Sequence, residues 1–385
     1  MKTPKVIIIG NPLDNTYGMM RSLYRVGIKP IVVVEPTGFK QFKYSLYPSA
    51  VHYLKSFEDL IPLILEKYGN EPVKPVLLCG SDPSVSLLDE NYNILKDKFV
   101  FFNCGKPGMI NYFMNKVNTF DIANKNGFSI IKTWLYREGE SWPKDITYPC
   151  LIKGSNSIHS TKQDMYICRS VEELSACIKP DVEYLIQEYI EKEYELDIIG
   201  IAYNQGNDVY IPGAVRKIRD EIHRQSVYVR LDNIKDYPLL KNLDLAGFIK
   251  DINYEGIFSI EVIYSKGKFY FLEVNLRNDG CGWIYTAGGV NYPLLWVLYS
   301  KGILNRQVIE NTIIKTPIYL MGENDIYNLL EGVVSLKQWL KDLARTKAFF
   351  SPGLKDPFCF GYCMMIHARQ ACKKLLGRVL KIDMR

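Results

Sequence analysis

Short apolar runs closed by glycine or an acid set the rhythm of the first hundred residues. Residues 5–9 (Lys-Val-Ile-Ile-Ile) run into Gly10, a helical stretch follows to Val26-Gly27, and a second run, Ile31–Val34, closes on Glu35. Strand, helix and strand in that order predict parallel pairing through a crossover helix. Val76–Cys79 before Gly80-Ser-Asp82, and Phe99–Asn103 before Gly105-Lys-Pro-Gly108, predict two further strands. Residues 1–110 therefore read as a small Rossmann-like α/β domain. Gly10-Asn-Pro-Leu has no second glycine in register, so the dinucleotide fingerprint is missing and no dinucleotide is assigned. The domain either offers a binding edge for a second substrate or serves the fold alone.

From Asn111 the pattern becomes α+β. Val117–Asn126 predicts a helix stopped by Gly127, Tyr148–Lys153 a strand, Val171–Ile178 a helix and Tyr184–Tyr189 a strand. Longer strands follow at Leu196–Tyr203, Val209–Ile211 and Val227–Leu231, then a hairpin, then a helix over Asn291–Lys301. Residues 111–305 thus form a second domain, with a small lid subdomain over 120–189 and an antiparallel sheet over 190–305. Residues 306–385 follow as a basic, partly helical C-terminal extension.

The hairpin carries the densest chemistry. In Phe271-Leu-Glu-Val-Asn-Leu-Arg277 the polar residues Glu273, Asn275 and Arg277 fall two apart, on one face of a strand, with Leu272, Val274 and Leu276 behind them. Glu261, in Phe258-Ser-Ile-Glu-Val-Ile-Tyr264, lies twelve residues earlier across the turn Ser265-Lys-Gly-Lys268. Oxygen ligands beside a fixed cation suit Mg²⁺ on a polyphosphate. A plain two-residue Lys266-Gly267 turn would set Glu261 against Leu272, so an odd-numbered loop or a bulge is expected, bringing Glu261 opposite Glu273.

Composition narrows the class. The 385 residues are enough for two or three cores. No N-terminal apolar segment with a cleavage site follows Met1, and no apolar run approaches the roughly 18 residues of a membrane span, so a cytoplasmic protein is expected. The nine cysteines lack Cys-x-x-Cys spacing and nearby histidines, which points to buried thiols rather than disulfides or zinc. The net charge of +6 is concentrated: residues 335–385 hold eleven Lys/Arg against three Asp. A nucleic-acid partner would rest on that segment alone and is not expected. Its apolar and basic residues, among them Met364, Met365, Leu375, Leu376, Lys373 and Arg378, either pack on the neighbouring domain or contact an anionic membrane surface. His52, His159, His223 and His367 share no ligand spacing, and no Ser/His/Asp or Cys/His arrangement competes.

Other polar residues mark candidate contacts, each with a plainer alternative. Lys116 sits in Met114-Asn-Lys-Val-Asn-Thr-Phe120. Lys153 ends an apolar strand before the polar loop Gly154-Ser-Asn-Ser-Ile-His-Ser-Thr-Lys162. Such a loop suits closure over phosphates, while a lysine at a strand end also serves as a solvated charge. Gln187, Glu188, Tyr189 and Ile190 end a strand whose exposed backbone can pair with an adenine edge, and Glu193 or Glu195 can take ribose hydroxyls; the alternative is a charged hairpin rim. In Gly213-Ala-Val-Arg-Lys-Ile-Arg-Asp-Glu-Ile-His-Arg224, three arginines and a lysine in a short span either bind γ-phosphate and the substrate carboxylate, with Arg216 and Lys217 the better candidates, or form a basic solvated turn. Asn278-Asp-Gly-Cys-Gly282 is either backbone for an acyl phosphate or a turn into the next helix.

Taken in order, Lys116, Lys153, the polar loop, Gln187–Ile190, Glu193, Glu261 and the Glu273/Asn275/Arg277 face resemble the ATP-grasp superfamily, which includes D-alanine-D-alanine ligase, biotin carboxylase and carbamoyl phosphate synthetase. The resemblance runs from the first strand to about Leu304, and Glu-x-Asn-x-Arg is its most specific part. Arg21-Ser-Leu-Tyr-Arg-Val-Gly-Ile28, Lys43-Tyr-Ser-Leu-Tyr47 and Gly80-Ser-Asp-Pro-Ser84 are similar to carboxylate-amine ligases of the bacterial D-aspartate ligase type. The resemblance implies a Rossmann-like domain before a two-subdomain ATP-grasp fold. It also implies that Lys116 and Lys153 hold phosphate and adenine atoms, and that Gln187, Glu188, Tyr189 and Ile190 form the adenine hinge. Glu193 would be the ribose ligand, and Glu261, Glu273 and Asn275 would be ligands of two Mg²⁺ or Mn²⁺ ions. Arg277 would steady an acyl phosphate. Gly154 stands where proline is usual, and Lys192 where glycine is common. The implied activity is ATP-dependent, ADP-forming carboxylate-amine ligation on amino-acid or peptide-like substrates, with homo-oligomerisation open. A carboxylase, a phosphotransferase or a non-catalytic ATP-binding protein would use the same residues.

Overall fold

The computed structural model describes residues 4–154, 165–179, 182–220, 226–304, 306–310, 312–366 and 368–369. The polar loop after Gly154, His159, His223, His367, Arg224 and the tail beyond 370 lie outside these residues.

Four short strands, β1 (Val6–Gly10), β2 (Ile31–Val34), β3 (Ala50–Tyr53) and β4 (Val76–Cys79), pair in parallel in the order β3-β2-β1-β4. β1, β2 and β4 are buried throughout, as a parallel sheet covered on both faces requires. The strand order reverses between β1 and β4, so Gly10 and Gly80 flank a crevice at the carboxyl ends of these strands. Two expectations need correction. Ala50–Tyr53 is an edge strand that period reading missed, since it is only half-buried and carries His52. Phe99–Asn103 is not a strand: it makes only isolated bridges, Val76 with Val100 and Asn103 with Glu255. Its rings are drawn into the core instead, with Phe102 set edge-on to Trp296 at 5.1 Å.

After β5 (Ser129–Ile130), the strands β6 (Thr133–Arg137), β7 (Cys150–Gly154), β8 (Tyr166–Cys168) and β9 (Glu183–Glu188) form a separate antiparallel sheet, β6-β9-β7-β8. Its small core gathers Tyr136, Ile152, Leu174, Tyr184 and Ile186. The helix Val171–Ala176 covers it, capped by Ser170, whose hydroxyl accepts from the Glu173 N–H.

The central sheet has nine strands. β10 (Tyr194–Tyr203), β11 (Asp208–Tyr210), β12 (Gly213–Asp220), β13 (Ser226–Asn233), β14 (Gly256–Ser265), β15 (Lys268–Asn275), β16 (Ile318–Met321) and β17 (Thr346–Phe349) join β5 in the order β17-β16-β13-β12-β10-β14-β15-β5, with β11 on β10. Two further corrections follow. Gly213 to Asp220 is a strand rather than the solvated turn of the plainer alternative, because Ala214 and Val215 are fully buried between β10 and β13. The segment after 305 is not an appendage: Ile318–Met321 pairs with β13, and Thr346–Phe349 extends the sheet beyond it. Asp356 ties the same segment to the N-terminal unit, accepting from Ser45 Oγ (2.6 Å), Leu46 N (2.9 Å) and Tyr17 Oη (3.2 Å). The first unit and the central sheet share one continuous core.

Six of the eight described cysteines are buried, as their spacing led one to expect. Among the described residues no helix is long and apolar enough to cross a membrane.

Candidate functional site

The hairpin register decides whether two carboxylates meet. The turn is tight: Ser265 faces Lys268 across Lys266 and Gly267, both at positive φ (47° and 79°), as a primed two-residue turn demands. Uncorrected, that register would oppose Glu261 to Leu272. Instead Val262 faces Phe271 and Glu261 faces Glu273, so one extra residue, Leu272, is bulged out of β15. Past the bulge Ser259 faces Asn275. Glu261, Glu273 and Asn275 consequently share one face, and the Asn275 amide donates to Glu261 Oε1 at 3.1 Å.

The same face continues across β10 and β12. Asp197 lies opposite Glu261 and Val215, and the register places Glu195 opposite Lys217. Lys217 Nζ contacts Glu261 Oε2 at 2.9 Å, Asp197 Oδ1 at 3.1 Å and Glu195. Burial opposes its charge, but Asp197, Glu261 and Glu195 outweigh that and hold it well above the ordinary lysine value. Burial drives Asp197 towards its protonated form, while Glu195, despite burial, is kept ionised by Lys217 and Lys192. Three carboxyl groups around one ammonium thus form a charged floor.

Arg216 is elsewhere. Neighbours on a strand point to opposite faces, so Arg216 leaves the face of Lys217 and stacks over the Tyr194 ring at 4.6 Å. The expectation that Arg216 and Lys217 act together therefore fails, because the strand separates the two cations.

Above the floor, Lys116 pairs with Glu273. Lys153, at the end of β7 in the small sheet, comes in beside Lys116. Burial and the adjacent Lys116 pull it down to about 7, whereas Glu273 outweighs burial and raises Lys116. The two lysines therefore bring the small sheet and the central sheet to one place. The chain crosses between the sheets from Gln187 through Glu188, Tyr189 and Ile190 to Glu193. Gln187 is buried and donates to Thr133 Oγ1 at 2.8 Å, Tyr189 N bonds Pro149 O at 3.3 Å, and its ring is half-exposed. Of the two acids that follow, Glu193 is exposed at the rim and accepts from Lys266 N at 2.8 Å, whereas Glu195 is committed to Lys217 and Lys192. Both line a polar cleft of about 180 Å³ with Lys192, Lys217, Arg219 and Asp220.

Arg277 closes the other end. Its guanidinium donates to Asp82 Oδ1 (2.7 Å), Asn275 Oδ1 (3.3 Å) and Asn278 O (3.3 Å), and lies 3.7 Å from Asp279. Burial is overcome by Asp82 and Asp279, which keep it charged. The link to Asp82 joins the site to the crevice of the first unit, and Asn15 Nδ2 adds bonds to Gly80 O (2.8 Å) and Asn278 O (2.5 Å). Asp197, Asp82 and Asp279 escaped sequence reading. Asp197 was findable, since Glu195-Leu-Asp197 repeats the two-residue spacing of Glu273 and Asn275. Asp82 and Asp279 meet Arg277 only through the fold.

No family model matches the chain. It is 22% identical over 336 residues to a pyruvate carboxylase subunit of Methanothermobacter thermautotrophicus, an alignment covering 78% of this chain and 63% of that relative, so the chain spans less than two thirds of its length. In structure it resembles an ADP complex of N5-carboxyaminoimidazole ribonucleotide synthetase, with TM-score 0.64 and 15% identity over 86% of each chain. It also resembles an L-amino acid ligase from Bacillus licheniformis, with TM-score 0.63 and 15% identity over 83% of this chain and 79% of the ligase. These neighbours are ATP-grasp enzymes, and with two sheets meeting over the Glu261/Glu273 face this chain has the ATP-grasp fold.

Proposed function

We propose that the protein is an ATP-dependent, ADP-forming carboxylate-amine ligase. The observation that carries this reading is the convergence of Lys116, Lys153, Glu261, Glu273, Asn275 and Arg277 where the two sheets meet. A carboxylate is a poor acyl donor, because oxide would have to leave. When its oxygen attacks the γ-phosphorus of ATP, the bond to the β-phosphate oxygen breaks and ADP departs, leaving an acyl phosphate. An amine then attacks the acyl carbon, the carbon–oxygen bond breaks, and phosphate leaves as the nitrogen loses its proton. Such chemistry asks the protein for positioning and charge compensation.

The residues divide that work. Lys116 and Lys153 receive phosphate oxygens. The Gln187–Ile190 crossing receives the adenine, and Glu193, free of the acid cluster, receives the ribose. Arg277, fixed by Asp82, steadies the acyl phosphate, and Lys217 keeps the floor carboxylates in place. Glu261, Glu273 and Asn275 are hard oxygen donors on one face, a set suited to Mg²⁺. Such an ion, when bound, neutralises charge on the phosphate oxygens. The acceptor enters at the switch-point crevice, where Asn15, Glu35 and Asp82 supply the polar wall; Glu35 is held there by the Ser84 hydroxyl at 2.5 Å and by Ser81. The ligase neighbour supports carbon–nitrogen bond formation with amino-acid substrates.

The likeness to the pyruvate carboxylase subunit favours a second reading, a carboxylase that activates bicarbonate through the same site. Amino-acid pairs screened for ADP release separate the two: release that needs an amino acid and an amine together supports the ligase, and release that needs bicarbonate overturns it. Glu273→Gln should lower turnover by about 10²- to 10³-fold, the usual loss for one preorganised polar contact.

A further inference from the structure

The helix Leu336–Arg345 carries Leu336, Trp339, Leu340 and Leu343 at the spacing of one apolar stripe. A surface helix ordinarily turns such a stripe to the core. Here the one buried residue of the helix is Asp342. Arg219 donates to Asp342 Oδ2 at 3.0 Å and, through its other nitrogens, to both oxygens of Asp325 at 2.6 and 2.7 Å. Gln338 Nε2 adds a bond to Asp342 at 2.7 Å. The ion pair thus joins half-buried Trp339 and Leu343 in setting the rotation of this helix, while Leu336 and Leu340 remain 59% and 51% exposed. Leu330 and Val333, on the approach to the helix, and Leu354 and Phe358, after β17, are more exposed still.

Lys337, Lys341 and Arg345 lie on the outer side of the same helix, and Lys347 and Lys355 follow, all exposed. Over residues 335–369 the only acids are Asp342 and Asp356, both buried and both engaged. The outer side of this helix therefore pairs uncovered leucines with cations and carries no anion of its own; the nearest exposed acid in sequence is Glu331, between Leu330 and Val333.

We propose that this face docks on an anionic phospholipid surface, the leucines entering the headgroup boundary and the lysines meeting lipid phosphates. Charge complementarity selects this occupant. A second copy of the chain, related by a two-fold axis, would bring lysine against lysine, and a nucleic acid would leave the leucines uncovered.

The test is co-sedimentation of the full chain with vesicles of phosphatidylcholine alone or mixed with phosphatidylserine. Binding to the mixed vesicles only, weakening with salt, is expected. The pair Leu336→Gln/Leu340→Gln should abolish it, and each of Lys337→Gln and Lys341→Gln should weaken it about fivefold, with the melting temperature and its rise on adding ATP unchanged. Equal sedimentation of wild type and the leucine pair overturns the proposal, as does binding indifferent to phosphatidylserine. So does binding lost on deleting residues 371–385 but kept in the leucine pair, which assigns the contact to the tail. A wild-type dimer that the leucine pair dissociates, with no vesicle binding, makes a second copy the occupant and also overturns it.

Discussion

Lys153 is a residue whose charge its surroundings hold near the point of change. Its folded value is pulled from 10.5 to about 7 by burial and by Lys116. A depressed lysine binds its proton more weakly in the fold than in the unfolded chain, so the nucleotide-free protein gains stability as pH rises from about 7 towards 10.5. Lys153→Met should flatten that slope in thermal melts. On the proposed function, phosphate oxygens beside Lys153 raise its value again, so ATP binding near pH 8 should take up protons. Calorimetry in buffers of differing ionisation enthalpy reads this directly, and Lys153→Met should lose the uptake. At this scale the spacing rule served well where the secondary structure was read correctly. Glu273, Asn275 and Glu261 share a face as alternation requires. Arg216 and Lys217, adjacent in sequence, point to opposite faces because their segment is a strand.

The decisive element is the β14–β15 hairpin, where two local features act together. Lys266 and Gly267 hold the left-handed conformations of a two-residue turn, and the bulge at Leu272 restores the register that the turn alone would lose. Gly267→Val should cost about 1–2 kcal/mol in urea unfolding, because a β-branched residue resists positive φ. Lys266→Asn, which suits the first turn position, should be neutral or mildly stabilising in the same titration. The expected register was legible from the twelve-residue spacing of the two glutamates. Which device supplies it was not, since a bulge depends on twist and packing across the whole sheet.

For the molecule as a whole, Arg219 joins β12, beside the polar cleft, to the two helices that carry Asp325 and Asp342. Arg219→Met would leave two buried carboxylates unpaired, and denaturant unfolding should register a loss of about 3–5 kcal/mol. Arg219→Lys should recover little of it, because an ammonium cannot fork to both acids. Such long-range pairs also mark where sequence reading stopped. Apolar periodicity by itself determined the β-α-β opening, the hairpin and the polar face of β15, because these follow from hydrogen bonding and alternation among near neighbours. Only the tertiary structure brought Lys116 and Lys153 to Glu273, Asp82 to Arg277, and Ile318–Met321 and Thr346–Phe349 into the central sheet. Those meetings join segments tens to hundreds of residues apart, and their geometry is set by the packing of whole sheets rather than by any local pattern.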